Sequence, residues 1–274
     1  MAFASNLRGH TVIDDSNWTH YRDMIQTGDN PTGKFSGGLI ERNYGEKPLT
    51  KRLKATSKAI ELIPEVEWDE RIEEMERTGT QASQLHDYYK LRTFNQNGLG
   101  WCWCYGTVKA MQMAYARQGT YVPDLCAASL AAKIKGYQDE GGWAGEAIEG
   151  NLKYGCSTTD FWEEHANDRR YDTPEQRENA QLHLIDEYEE LPANDFRWVM
   201  SAALSGMSFT LGLAWWGHLV CGMDPIRQKN GRYGIRIKNS WGEDWEKNGY
   251  GILDQDKAVP MEICVIRSMK PARA

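Results

Sequence analysis

Residues 95–103 have the sequence Asn-Gln-Asn-Gly-Leu-Gly-Trp-Cys-Trp. Apolar side chains then recur every three or four positions from 104 to 115, and Gly119 follows them as a helix C-cap. The pattern predicts a helix that begins at Trp103 and leaves Cys102 at its N-terminus. The macrodipole and the unpaired amides of a first helical turn both favour a thiolate. Cys102 is therefore a candidate nucleophile.

The residues just before this thiol suit acyl transfer. Gln96 lies six positions before Cys102, and its side-chain amide can donate a hydrogen bond to an oxyanion. Gly98 and Gly100 allow the backbone to approach a substrate closely. A free cysteine is nevertheless most often a small buried hydrophobe, and this stretch alone favours that interpretation. The other five cysteines are expected to be buried in this way.

Two downstream blocks favour the interpretation of Cys102 as a nucleophile. Residues 215–218 end in Gly217-His218 at the start of a predicted strand, and residues 238–242 place Asn239 after the next strand. Neighbouring strands can hold an imidazole and an amide side by side, so His218 and Asn239 are candidate partners of Cys102. The remaining histidines have no partner motif and are expected to be surface or packing residues: His10, His20, His86, His165 and His183.

In this order the blocks resemble those of papain-like cysteine peptidases, from Gln96 and Cys102-Trp103 through the glycine-preceded His218 to Asn239. Further blocks match at residues 63–71, 141–143 and 245–250. The resemblance covers roughly residues 63 to 268. It is carried by the joint occurrence of the blocks, which is much more specific than any one of them.

The resemblance implies a role for each matching residue. Cys102 attacks a peptide carbonyl, His218 takes and returns the proton, and Asn239 orients the imidazole. Gln96 and the Cys102 amide bind the oxyanion, and Trp241 shields the hydrogen bond between histidine and asparagine. No cofactor and no metal ion are required.

The substrate side of the site departs from the family pattern. Gly142 and Trp143 are predicted to contact substrate through backbone pairing and an apolar wall. Trp101 replaces a small residue, so it forms either a bulky subsite wall or an obstacle that excludes peptides. Leu99 replaces a cysteine whose disulfide partner in secreted relatives corresponds to Asp139. The joint loss agrees with a reducing compartment.

The predicted fold class is α+β and papain-like, with a helical left half over about residues 62–170, an antiparallel, barrel-like sheet half over 171–274, and the cleft between them. Local patterns favour one or two surface helices in 70–91, a helix from Ala144 stopped by Gly155, a strand before Pro192, and a helix capped by Asn194. Alternating apolar residues predict strands within 209–215, 218–223 and 233–237.

Residues 1–61 are predicted to form an extended N-terminal arm. Seven glycines and prolines between Gly28 and Pro48 interrupt any long helix, and apolar residues are too sparse for an independent core. An inhibitory propeptide of the family type is a helical mini-domain, which this segment cannot build. The arm is therefore expected to stay attached and to dock on the flank of the domain, on a neighbouring subunit or on another protein partner.

Composition limits the remaining functions. The chain has 39 acidic and 32 basic residues, a formal charge of -7, which does not favour binding to nucleic acid or to a membrane. The first six residues lack the pattern of a secretory signal, so a cytoplasmic or otherwise non-secreted location is expected, a virion included.

Two functions from different classes remain. The favoured one is a cysteine-type endopeptidase, or thiol protease, which hydrolyses peptide or protein substrates by Cys-His-Asn acyl transfer. The alternative is a catalytically silent papain-fold protein that serves as a structural or binding component of a larger assembly, for example a virion. Trp101 and the long arm are the features that favour this alternative.

Overall fold

A computed structural model describes residues 9–26 and 35–271 of the chain. The α-helices are α1 (Trp18–Gln26), α2 (Trp68–Thr78), α3 (Ala82–Tyr88), α4 (Cys102–Arg117), α5 (Ala127–Ile134), α6 (Ala144–Tyr154), α7 (Pro174–Gln181) and α8 (Phe196–Leu204). The strands are β1 (Val12–Ile13), β2 (Lys51–Arg52), β3 (Ile185–Leu191), β4 (Phe209–Leu213), β5 (His218–Arg227), β6 (Tyr233–Lys238), β7 (Tyr250–Asp254) and β8 (Glu262–Met269). Within these ranges no helix is both long and apolar enough to cross a membrane.

The strands form one sheet in the order β1-β7-β6-β5-β4-β8-β3-β2. All neighbours are antiparallel except β1 and β7, which are parallel. The predicted α+β class is confirmed. The sheet does not close, so it is an open sheet where a barrel-like half was predicted. Its two edge strands, β1 and β2, both come from the N-terminal arm, which therefore pairs with part of each edge of the sheet.

Two hydrophobic cores support the cleft from either side. The first surrounds α4, whose residues from Cys102 to Ala116 are all buried, as expected for a helix that is apolar on most of its surface. The second lies between the sheet and helices α2 and α8. Helix α4 packs against β5, so the N-terminus of the buried helix meets the start of a strand.

Most of the predicted elements are present. Helix α4 begins one residue before the predicted start, and Gly119 has a φ of +69°, the left-handed conformation of a C-cap. Helix α6 ends at Gly155 as predicted. Helix α8 is capped by Asp195 and not by Asn194, because the Asp195 carboxylate accepts the Arg197 amide hydrogen at 2.9 Å.

The arm differs from its description as extended, because it contains α1. This helix lies before the breakers that were counted, and it buries Tyr21 in the core of the sheet half. The indole of Trp216 donates to the Tyr21 carbonyl at 2.9 Å, which ties α1 to the sheet half. Gly28, Pro31, Gly33 and the N-terminal residues 1–6 lie outside the described residues.

Candidate active site

Cys102 is the first residue of α4 and is fully buried, and the other five cysteines are buried as well. Burial raises the pKa of its thiol to about 12, although the backbone amides of Leu219, Trp103 and Leu39 act in the opposite direction. Desolvation therefore acts against the thiolate that the helix N-terminus is predicted to favour, and in this closed conformation it is the larger of the two effects.

His218 and Asn239 meet as the sequence predicts. His218 opens β5, Asn239 follows β6 directly, and His218 Nε2 lies 2.7 Å from Asn239 Oδ1. The same oxygen accepts the Ser240 amide hydrogen at 2.8 Å, which fixes the orientation of the side-chain amide. Within the described residues, His218 Nδ1 has no hydrogen-bond partner. The ring nitrogen that a general base uses is thus available.

Burial also favours the neutral form of the His218 imidazole. It lowers the pKa of His218 to about 4, against a smaller contribution from the Asn239 hydrogen bond, which favours the charged ring. The thiol contacts the backbone amide of Leu219, the residue after His218, so the two groups belong to one buried site. Burial thus favours the uncharged form of both Cys102 and His218.

Aromatic rings enclose the imidazole on two sides. The Trp241 ring lies 4.6 Å from the His218 ring, at an angle of 33°, and the Trp216 ring lies 5.1 Å from it. Trp241 itself is buried. Its position is the one expected of a residue that keeps water from the hydrogen bond between His218 and Asn239.

Gln96 is held in place by hydrogen bonds at both ends of its side-chain amide. Its Oε1 accepts the Ser240 hydroxyl hydrogen at 2.6 Å, and its Nε2 donates to the Leu99 carbonyl at 2.6 Å. The same nitrogen lies 3.1 Å from the backbone oxygen of Ser36 in the arm. Trp241 Nε1 donates to that oxygen as well, also at 3.1 Å. A peptide carbonyl from the chain's own arm therefore occupies the predicted oxyanion donor.

The predicted substrate contacts also meet the arm. The Gly142 amide donates to the Gly38 carbonyl at 2.9 Å, and the Gly142 carbonyl accepts from Ile40 at 3.0 Å. These bonds form a parallel bridge between Leu39 and Gly142. The ammonium group of Lys47 lies 4.0 Å from the centre of the Trp143 ring.

Residues 35–40, called here the cleft segment, thus run through the cleft in contact with Gln96, Trp241 and Gly142. Two glycines make this path possible. A Cβ on Gly37 would lie 2.4 Å from the Gly217 carbonyl oxygen, and a Cβ on Gly38 would lie 2.0 Å from that of Gly100. The arm was expected to dock on the flank of the domain, which is wrong for residues 35–40. A short extended segment fits the cleft without the helical mini-domain of a family propeptide.

No protein-family model matches the chain, and no curated protein sequence matches it. Solved structures do match. The bromelain protease of Ananas comosus in complex with the E64 inhibitor is 20% identical, with a TM-score of 0.57, over 68% of this chain and 97% of that one. The fold is papain-like.

Two precursor structures share the papain-like fold. Recombinant stem bromelain precursor is 17% identical, with a TM-score of 0.58, over 94% of this chain and 89% of that one. Digestive procathepsin L 3 of Tenebrio molitor is 18% identical, with a TM-score of 0.55, over 63% of this chain. The chain spans 65% of that protein, less than two thirds of its length.

Trp101 does not line an open cleft wall in this papain-like fold. Its side chain is fully buried in the core around α4, and its ring nitrogen has no hydrogen-bond partner within the described residues. The cleft is filled by the cleft segment instead. Sequence reasoning missed this segment, although the adjacent pair Gly37-Gly38 was a signal for close backbone approach.

Proposed function

We propose that this chain is a cysteine-type peptidase whose own arm closes the active site. The observation that carries the proposal is the pair of His218 and Asn239 at 2.7 Å, with His218 Nδ1 unpartnered in the described structure, beside a thiol at the start of α4. The papain-like fold supports the proposal, since it brings these residue types together from the sequence blocks that resemble the family.

The reaction follows from the atoms present. Cys102 Sγ attacks the substrate carbonyl carbon while His218 Nδ1 accepts the thiol proton, and the carbonyl oxygen takes the negative charge. Gln96 Nε2 and the Cys102 amide donate to that oxygen. His218 returns the proton to the leaving amine, which breaks the peptide bond and leaves a thioester. Water, deprotonated by the same imidazole, then attacks the thioester carbon; the C–S bond breaks, the acid leaves, and His218 returns the proton to the Cys102 sulfur.

The Ser36 carbonyl supports the role of Gln96. It is a peptide carbonyl 3.1 Å from Gln96 Nε2, which is consistent with an amide that donates to a peptide oxygen of the substrate. The cleft segment thus acts as an unreactive occupant. Its departure admits water, which removes the desolvation that keeps Cys102 and His218 neutral and so favours the charged pair needed for attack.

The silent protein remains the second candidate, and the filled cleft is the observation that favours it. The two candidates predict different results once the arm is displaced: the peptidase becomes active, and the silent protein does not. Gly38→Ala introduces a methyl group against the Gly100 carbonyl in the strained region of φ, +117°, and should expel the cleft segment.

The test is hydrolysis of an unfolded protein substrate, such as casein, by the full-length Gly38→Ala chain. Activity that disappears in Gly38→Ala/Cys102→Ala supports the peptidase. If the variant is folded, has an exposed cleft and still cleaves no peptide bond, the chain is the silent protein and the proposal is wrong.

A further inference from the structure

A basic cavity lies in the helical half, outside the active-site cleft. Helix α6 begins at Ala144, next to Trp143, and Lys153 and Tyr154 at its other end line the cavity, about 15 Å further along the helix axis. The volume of the cavity is about 480 Å³, within the usual range for a small-ligand site. Among the described residues, its charged lining consists of one carboxylate and four cations, namely Asp172 with Lys133, Lys153, Arg169 and Arg177.

The single carboxylate is shared by several donors. Asp172 accepts hydrogen bonds from Arg177 Nε at 2.9 Å and from the Tyr137 hydroxyl at 2.8 Å, and it lies 3.2 Å from Lys133 Nζ. The hydrogen bond from Arg177, with that from Tyr137 and the charge of Lys133, holds the pKa of Asp172 well below its usual range. Burial nevertheless lowers the pKa of Lys133, so Asp172 does not fully compensate the charge of this lysine.

The other two cations, Lys153 and Arg169, form no ion pair with any residue that the structure describes. Lys153 Nζ lies 4.6 Å from the centre of the Tyr154 ring, and the Arg169 guanidinium carbon lies 5.1 Å from that of the Tyr137 ring. Each cation is therefore held at the cavity wall by a cation–π contact. The cavity thus has an excess of positive charge, in a chain whose formal charge is -7.

The part of the wall that Tyr137 forms has an unfavourable backbone conformation. Gly136 and Tyr137 have φ values of +58° and +70°, and this left-handed region is strained for a bulky residue such as tyrosine. The Tyr137 amide donates to the Ala132 carbonyl at 2.7 Å, and its hydroxyl donates to Asp172, so both ends of the residue are fixed. Strained residues of this kind are frequent at ligand sites, where the surrounding structure holds them in place. The turn therefore supports a cavity with a preformed shape.

The charge of the whole chain favours a compact anion over an extended one. A nucleic acid or an anionic membrane would contact a large area of a protein with a net charge of -7, and much of that area would repel it. A compact ligand would contact only the cavity. Phosphate groups carry up to about two negative charges each at neutral pH, and their oxygens accept several hydrogen bonds from arginine and lysine.

We propose that this cavity binds a small ligand that carries two or more phosphate groups. Lys153 and Arg169 donate to the phosphate oxygens from the rim, and Lys133 and Arg177 do so from positions that Asp172 fixes. The site is separate from Cys102 and its partners, so it adds a ligand class that the proposed function does not include.

Calorimetric titration of the full-length chain with tripolyphosphate tests the site directly. At about 0.15 M ionic strength, Lys153→Ala and Arg169→Ala should each weaken binding by about tenfold or more, because each removes a charge-assisted contact. Both residues are exposed, so the variants should remain folded, which circular dichroism checks.

Arg170→Ala is the matched control for Arg169→Ala. Arg170 is also exposed, but its guanidinium lies over the Tyr171 ring and pairs with Asp168 at 3.6 Å, and it does not line the cavity. Its removal should change the affinity by less than about twofold. Equal losses in Arg169→Ala and Arg170→Ala, or no binding of tripolyphosphate by the unaltered chain, would overturn the proposal.

Further probes identify the source of the phosphate groups. ATP without divalent cations represents nucleotides, inositol hexakisphosphate represents phosphorylated polyols, and tripolyphosphate represents the phosphate groups alone. The tightest of the three identifies the class of ligand, and each result supports the proposal if Arg169→Ala weakens that binding. Tighter binding of a single-stranded oligonucleotide than of every small phosphate, or binding of sulfate as tight as that of tripolyphosphate, would contradict it.

Discussion

The side-chain amide of Gln96 and the backbone carbonyl of Ser36 lie 3.1 Å apart, so the group that should stabilise an oxyanion already holds a peptide of the same chain. This contact links the chemistry of the site to the path of the arm. In the proposed function, closure and catalysis use the same donor, so they exclude each other. Closure by the arm and catalysis can therefore be tested separately.

The first prediction concerns closure. Gly38→Ala should speed amide hydrogen exchange at Leu39 and Ile40 by about tenfold or more, because the added methyl group cannot fit against the Gly100 carbonyl. Gly45→Ala is the matched control, since Gly45 is exposed and its φ is not positive. The exchange rates are measured by mass spectrometry on peptides spanning residues 35–44. Unchanged protection in Gly38→Ala would contradict the described path of the arm.

The second prediction concerns the separate roles of His218 in proton transfer and of Asn239 in orienting the imidazole. In the Gly38→Ala background, His218→Ala should lower kcat by about 10²–10⁴-fold, because it removes the proton acceptor. Asn239→Ala should lower it by about tenfold to a hundredfold, since it only frees the imidazole to misorient. Steady-state rates on one peptide substrate measure both effects. Equal losses in two folded variants would show that Asn239 does more than orient the ring.

The third prediction follows from the burial of His218, which lowers its pKa to about 4. In the unaltered chain the His218 ring should stay neutral from pH 7 to pH 5, and in Gly38→Ala it should titrate at a higher pH because water reaches it. Because the folded-state pKa lies below the ordinary 6.5, the stability due to neutral His218 is present above pH 6.5 and declines toward pH 4. Nuclear magnetic resonance of labelled histidines, assigned with His218→Gln, measures both titrations. Identical curves in the two proteins would exclude desolvation by the cleft segment.

The fourth prediction concerns the support beneath the site. Asp224 of β5 is buried, accepts from Arg236 of β6 at 2.8 Å, and accepts the Ser83 amide hydrogen of α3 at 3.0 Å. Asp224→Ala should cost about 3–5 kcal/mol in the free energy of unfolding, because it leaves the buried arginine without its carboxylate. The control is Arg77→Ala, which breaks an exposed pair with Glu74 and should leave the urea midpoint unchanged. Similar urea midpoints for both variants would show that the buried pair contributes no more to stability than the exposed pair.

Sequence reasoning was most successful where a local pattern determines a local structure. The spacing of apolar residues after Cys102 predicted α4, and the alternation around His218 and Tyr233 predicted β5 and β6. Because the histidine opens one strand and Asn239 follows its neighbour, their pairing could be predicted as well. These inferences need only the periodicity of helices and strands.

The path of the arm could not be predicted in the same way, because it depends on contacts between residues far apart in the chain. The glycines were counted as evidence against a propeptide, since they break helices. In the structure Gly37 and Gly38 are what allows the segment to enter the cleft. The effect of burial on the pKa of Cys102 was missed for the same reason, because the backbone of Leu39 in the arm contacts the thiol.

The central claim is that Cys102 is a reactive nucleophile kept closed by the chain's own arm. The most direct measurement is labelling of the full-length protein near neutral pH with a peptidyl epoxide, followed by mass spectrometry of the labelled peptides. The account predicts one adduct, on Cys102, that forms at least about tenfold faster in Gly38→Ala than in the unaltered chain. Equal labelling of Cys104 or Cys156, or no labelling of Cys102 in the folded Gly38→Ala protein, would contradict it.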